Sequence, residues 1–140
     1  MTITTTALHI NTQGATQFEN ITSKVQQAVA AAGCKNGIVT VFVKHTTAAV
    51  MIVEDEPGLR ADTGVIWERL IPSDPAWRHN VINHNEDNAH SHLRAQIQGP
   101  SLTIPFSEGA LALGTWQQVV LVDFDTRART RELLIQVMGE

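Results

Sequence analysis

The hydrophobic positions fall into short β-branched runs separated by stretches with three-to-four spacing. Residues 2–9, TITTTALH, are rich in β-branched side chains with rough apolar and polar alternation, which predicts a strand. After a turn at Gly14, Ile21, Val25, Ala28, Val29 and Ala32 recur at helical spacing, with Thr22 placed to cap that helix and Gly33 at the left-handed position that ends it. Residues 37–43 and 49–53, GIVTVFV and AVMIV, are nearly continuous apolar runs that predict buried strands joined through Lys44, His45, Thr46 and Thr47. A second helix is expected from Pro57, with Leu59, Ile66 and Leu70 on one face and Pro72 as its stop. Residues 72–87 are rich in Pro, Asn and Asp and read as a long loop, a feature that in a compact domain is either functional or disordered. Asn88 then caps a short helix closed by Gly99 and Pro100, and the remainder is β. Its strands are SLTIPF, a long run over 110–125 with a bulge at Gly114, and RELLIQVMG, separated by turns at 107–109 and 125–129. This order favours an α+β fold on antiparallel sheets, one domain over 1–140 with two or three helices.

Composition narrows the setting. The chain has 140 residues, a formal net charge of −4, 43% hydrophobic and 17% charged residues, enough to bury a core and without a strong pull toward nucleic acid. The single cysteine, Cys34, excludes an intramolecular disulfide and any cysteine-only metal site within one chain. The Thr-rich N-terminus lacks the pattern of a secretory signal, and no apolar run reaches the roughly 20 residues of a membrane span. A soluble, cytoplasmic protein that binds neither nucleic acid nor membrane is the expectation.

The chemistry lies in histidines and carboxylates. Of six histidines, His79, His84, His90 and His92 crowd one stretch, and His45 sits between two strands beside Lys44, Thr46 and Thr47. Imidazole is the commonest ligand of zinc, and three imidazoles with one open position make a catalytic metal geometry. His90 and His92 are two apart, so on a helix they point roughly 200° away from each other, and at most one of them joins His84. A solvated polar loop is the competing reading. Among the carboxylates, Asp55 and Glu56 suit capping of the helix that follows, which leaves Glu54 and Asp62 as candidates for catalysis. In GTWQQ, residues 114–118, a core Trp116 would turn Gln117 to the other face, toward a ligand or a subunit.

Together HTTAA at 45–49, Glu54, Asp62, the Asn-rich loop histidine, NAHSHL at 88–93, GPSLTIP at 99–105 and GALALGTWQQVVLVDFD at 109–125 resemble the YjbQ family, the secondary thiamine-phosphate synthases. The resemblance runs nearly the whole chain. It implies an antiparallel β-sandwich-like core, a homotrimer and a histidine-lined cleft that takes a divalent metal, zinc or, during turnover, magnesium. By position it implies His45, His84 and His92 as metal ligands and Glu54 and Asp62 as catalytic groups. Thr46, Thr47, Ser91 and Gln117 are the substrate-binding positions. The implied activity joins a pyrimidine diphosphate to a thiazole phosphate with release of pyrophosphate, so the expected partner is a phosphorylated small molecule. Lys44, Arg94, Arg127, Arg129 and Arg131 are the cations available to the leaving group, with Arg129 read as a solvated turn residue. A metal-dependent hydrolase and a non-catalytic trimeric binding protein are the alternatives.

Overall fold

The computed structural model describes residues 1–140. Its elements run β1 (Thr2–Thr12), β2 (Gln17–Asn20), α1 (Thr22–Ala32), β3 (Gly37–Val43), β4 (Ala48–Val53), α2 (Pro57–Leu70), α3 (Arg78–Ile82), α4 (Ala89–Gln98), β5 (Ser101–Ser107), β6 (Ala110–Leu111), β7 (Gln118–Asp123) and β8 (Arg129–Gly139). The fold is α+β. Every strand pairing is antiparallel, in one sheet of order β1-β8-β3-β5-β6 and a second of order β2-β7-β4. No helix is long and apolar enough to cross a membrane.

The small sheet is buried on both faces, which explains why its strands read as continuous apolar runs. Side chains alternate along a strand, so Ala48 and Val50 of β4 and Val119 and Leu121 of β7 join the core shared with the large sheet and α1. Ala49, Met51, Val120 and Val122 point the other way, into a second core beneath α2 and α4 that contains Trp67, Ile71 and Phe124. Trp67 meets Phe124 edge to face at 5.3 Å.

Four helices are present where two or three were expected, because residues 78–82 of the expected loop form the short helix α3. The helix expected near Thr22 forms, but Asn20 supplies the anchor: its side-chain oxygen accepts from the Thr22 N–H at 3.1 Å and hydroxyl at 2.8 Å. Gly33 ends α1 at φ 69°, as its position predicts. Three other expectations are corrected. Leu59, Ile66 and Leu70 face outward on α2, and the buried residue of that helix is Trp67. Strand β3 buries Val39, Val41 and Val43 and leaves Ile38 and Phe42 exposed, because nothing covers the outer face of the large sheet. The expected strand over 110–125 breaks into β6 and β7 around a turn in which the Gln117 N–H donates to the Gly114 carbonyl at 3.0 Å.

Where β7 ends, two carboxylates enter the interior. Asp123 accepts from Arg131 Nε at 2.6 Å and Nη2 at 2.8 Å and from the Thr12 hydroxyl at 2.5 Å, and both charged side chains are almost wholly buried. Gly14 lets the chain pass close to this strand end: a Cβ there would lie 2.3 Å from the Asp125 carbonyl oxygen, which accepts the Ala15 N–H at 2.7 Å. Removing one member of a buried ion pair leaves an uncompensated charge and costs roughly 3–5 kcal/mol. Asp123→Ala is therefore expected to lower unfolding stability by about that amount in urea titration. Lys44→Ala, which breaks only the exposed pair to Glu132, is expected to cost about 1 kcal/mol or less. Equal losses in the two variants would show that the buried pair does not hold the strand end.

Candidate functional site: a polar cavity at the end of the sandwich

Beside this strand end lies a cavity of about 680 Å³ with no hydrophobic residue in its lining. Four pieces of backbone build it: the β3–β4 turn with Lys44, His45, Thr46 and Thr47, the β7–β8 turn with Asp125, the start of β8 with Arg129, Thr130 and Arg131, and the stretch from α3 into α4 with His79, Glu86, Asn88 and His92. The pieces are fastened to one another. The Phe124 N–H donates to the Thr47 carbonyl at 3.0 Å, the Ser91 hydroxyl donates to the Phe124 carbonyl at 2.5 Å, and the Ala89 N–H donates to the Asn80 side chain at 3.0 Å.

Asp125 is the hub of the floor. One of its oxygens accepts from the Thr47 hydroxyl at 2.9 Å and from Arg129 Nε at 3.0 Å; the other accepts from the Thr126 N–H at 2.7 Å and from Asn88 Nδ2 at 3.3 Å. Burial acts to raise its pKa, but the hydrogen bonds from Thr126, Thr47 and Asn88 and the Arg129 charge prevail and hold it below the usual carboxylate range. Thr47 in turn accepts from Arg131 Nη2 at 2.7 Å, which ties Asp125 to the Asp123–Arg131 pair. With Nδ2 spent on Asp125, the Asn88 side-chain oxygen is buried and has no protein partner.

Three of the lining residues are cations and two are carboxylates, and Glu132 and Asp123 behind the lining pair with Lys44 and Arg131. Arg129 is bound to Asp125 only through Nε, and Arg131 leaves Nη1 outside its ion pair. Such guanidinium edges are suited to the oxygens of a phosphate. Burial first, and the Arg131 charge next, push the His45 pKa down. For His92 the causes are burial and then His79, whose ring centre lies 4.7 Å from its own. His45 Nε2 accepts the Glu132 N–H at 2.8 Å, which leaves Nδ1 to carry the proton.

Of the positions expected to carry function, His45, Thr46, Thr47 and His92 meet in this cavity, while His84 is exposed and does not line it. His79 stands against His92 instead. Glu54 and Asp62 are exposed after β4 and on α2, outside the cavity. Glu56, not Asp55, caps α2 through the Gly58 and Leu59 N–H groups; Asp55 pairs with Arg60 and Asn20. Ser91 is wholly buried and spends its hydroxyl on Phe124, and Gln117 accepts the Gly114 N–H at 2.8 Å beside an exposed, not buried, Trp116. Arg94 binds the Ile71 carbonyl and Glu68 away from the cavity, and Arg127 reaches Asp87, whereas Arg129 lines the cavity rather than standing free in a turn. Within one chain no group of three His, Cys, Asp or Glu side chains is arranged to hold a metal ion. The donors nearest to doing so are His79, whose Nε2 is buried and unpartnered, and His92. Two imidazoles fall short of the three of a catalytic zinc site, and His45 Nε2 is already bonded, so no chemical step is assigned to a metal.

Fold and cavity define a small α+β protein with a cation-lined polar cleft at one end of two facing antiparallel sheets. The chain belongs to the YjbQ family, whose model, described as UPF0047 protein YjbQ-like, matches residues 6–140. It is 36% identical over 140 residues to a UPF0047 protein of Methanothermobacter thermautotrophicus, covering 100% of this chain and 95% of that one. To a UPF0047 protein of Synechocystis it is 37% identical over 135 residues, 95% of this chain and 90% of the relative. Among solved structures, a hypothetical protein of Aeropyrum pernix K1 superposes with a TM-score of 0.89 at 36% identity, covering 98% of this chain and 99% of that one. A YbjQ-like protein of unknown function from Sulfolobus solfataricus P2 gives 0.88 at 34% identity, covering 99% and 100%.

Burial lowers the pKa of His45, His90 and His92 from the ordinary 6.5, helped by Arg131, Arg94 and His79 in turn. Between the lowered folded values and 6.5 the unfolded chain binds more protons than the folded one, so stability rises with pH through that window and falls on acidification. The urea midpoint is expected to drop between about pH 7.5 and about pH 5.5, and less so in His90→Gln. An unchanged midpoint over that range would mean that the three rings titrate as they do in the unfolded chain.

Proposed function

We propose that the cavity binds a phosphorylated small molecule and promotes departure of its diphosphate, making the chain a transferase of the thiamine-phosphate synthase type. The observation that carries this reading is a wholly polar cavity in which Lys44, Arg129 and Arg131 stand beside His45, His79 and His92. In that reaction a thiazole nitrogen attacks the methylene carbon of a pyrimidine diphosphate. The C–N bond forms, the C–O bond breaks, and the electron pair leaves on pyrophosphate. Negative charge grows on the leaving oxygen, where fixed guanidinium and ammonium donors act most strongly because they need no reorganisation. The proton on His45 Nδ1 is a further donor to the same group. The attacking nitrogen has no proton to lose, so the exposed position of Glu54, outside the cavity, does not hinder the chemistry.

A homotrimer fits the distribution of exposed apolar residues. A cyclic trimer needs two different patches per subunit, each meeting the other on a neighbour. The chain has two: Ile3, Ile38 and Phe42 on the uncovered face of the large sheet, and Leu59, Ile66 and Leu70 along α2. Sedimentation equilibrium is expected to give three times the chain mass of 15.3 kDa, and Phe42→Lys to shift the protein toward monomer. A wild-type monomer at micromolar concentration would overturn this.

Calorimetric binding of inorganic pyrophosphate tests the cavity directly. Arg129→Ala is expected to weaken it by about tenfold or more, the scale of one charge-assisted hydrogen bond, and Glu54→Gln to leave it unchanged. Pyrophosphate release that requires both precursors marks the transferase, whereas release from the diphosphate alone marks a hydrolase. Tight binding with no turnover leaves the non-catalytic binding protein. Chelator treatment is expected not to alter pyrophosphate affinity; a loss restored by zinc or magnesium would bring a metal on His79 and His92 into the site.

A further inference from the structure

We infer that Trp116 of one subunit seats in a chamber of the next, walled by Trp77, Ala89 and Leu93, so that a partner subunit closes the polar cavity on the side of His79 and His92. The inference rests on the head-to-tail association proposed above and names the contact nearest the site. Val81, Ile82, Ile97 and Trp116 are exposed and belong to neither of the two patches assigned to that association. Helices α3 and α4 supply Arg78, His79, Ala89, His92, Leu93 and Gln96 to the chamber, and Val81, Ile82 and Ile97 lie on those same two helices. The chamber and the polar cavity share His79 and His92 in their linings, so whatever fills the first bounds the second.

Trp116 is built as the knob for this hole. It is 71% exposed, on a turn held twice between Gly114 and Gln117, through the backbone at 3.0 Å and through the Gln117 side chain at 2.8 Å. A large ring presented on a fixed turn loses little entropy on docking. Its own chamber is out of reach. Trp116 precedes the Gln118 end of β7, whereas Ala89 and His92 flank Ser91, which is bonded to Phe124 past the other end, and the six residues of β7 span roughly 20 Å. A cavity of about 150 Å³ accepts benzene, so the chamber, at about 310 Å³, has room for an indole. Charges match as well: Val53 pairs with Gln118, which sets Glu54 beside the Trp116 turn, and Arg78 lines the chamber. The contact is continuous with the association through α2, because α2 begins just after Glu54, and the sheet face that receives it runs from Phe42 to Lys44 at the polar cavity. A knob and a hole on different parts of one surface make a heterologous contact, the kind that closes into a ring.

Sedimentation equilibrium of the wild type, Trp116→Ala, Gln96→Trp and the double variant tests the contact. Trp116 and Gln96 are both exposed in the single chain, so neither substitution disturbs the core. Removing the knob and filling the hole are each expected to raise the dissociation constant about tenfold or more, the scale of a tryptophan at the centre of an interface. Because both act on one contact, the double variant is expected to dissociate within about threefold of the weaker single variant, and not at the product of the two losses. Single variants that associate like the wild type, or losses that multiply, overturn the Trp116 contact and leave the association through the sheet and α2 standing. A monomeric wild type overturns that association and this contact with it.

Discussion

Two carboxylates carried into the interior at the end of β7 constrain everything around them. A buried ion is tolerated only when its lone pairs and charge are met by partners, and Asp123 and Asp125 draw those partners from across the fold: Thr12 of β1, Thr47 before β4, Asn88 before α4, and Arg129 and Arg131 of β8. Each partner brings its own stretch of backbone, and the residues beside them in sequence become the walls of the cavity. His45 and Thr46 arrive with Thr47, His92 with Asn88, and Thr130 with Arg131. The network is thus both the joint between the sheets and the template of the site. Because the arginines are immobilised by their carboxylates before any ligand arrives, little side-chain entropy remains to be lost when an anion binds.

Much of the fold was legible because its signals are local. Gly33 ends α1, Pro57 starts α2, and Gly109 closes the β5–β6 turn, each where backbone sterics demand. What local pattern could not supply was which apolar faces are covered. The runs GIVTVFV and AVMIV look alike, yet β4 lies in a sheet packed on both sides and β3 in a sheet with one bare face. That difference belongs to topology, and the bare face awaits either solvent or a neighbour. Trp116 misled for the same reason: its size suggests the core, but the Gly114–Gln117 turn carries it outward.

The site was legible in part. HTT and SHL hold His45, Thr46, Thr47 and His92, which line one cleft although their separation in sequence shows nothing of it. His79 and His84 both lie in an irregular polar stretch, and only the formation of α3 settles which of the two meets α4. The floor of the cavity has a signal of its own in the sequence. In VVLVDFDTRARTRE two acids end an otherwise apolar strand and arginines follow at alternate positions, so the acids need counter-charges that the returning strand can deliver. Read as candidates for burial, those acids point to Asp125, which no motif singles out.

The net charge of the chain says little about any one cleft, and the reason is one of range. At physiological ionic strength exposed charges are screened over about 8 Å, so carboxylates scattered over the far surface contribute little to the potential inside one cleft. What acts on a bound group is the set of charges lining that cleft and the low-dielectric wall behind it, where Asp123 offsets one guanidinium and Asp125 only partly engages another. The carboxylates hold the cations in place without filling their outward edges. The wall of the cavity therefore sets its own local balance of charge, whatever the net charge of the chain.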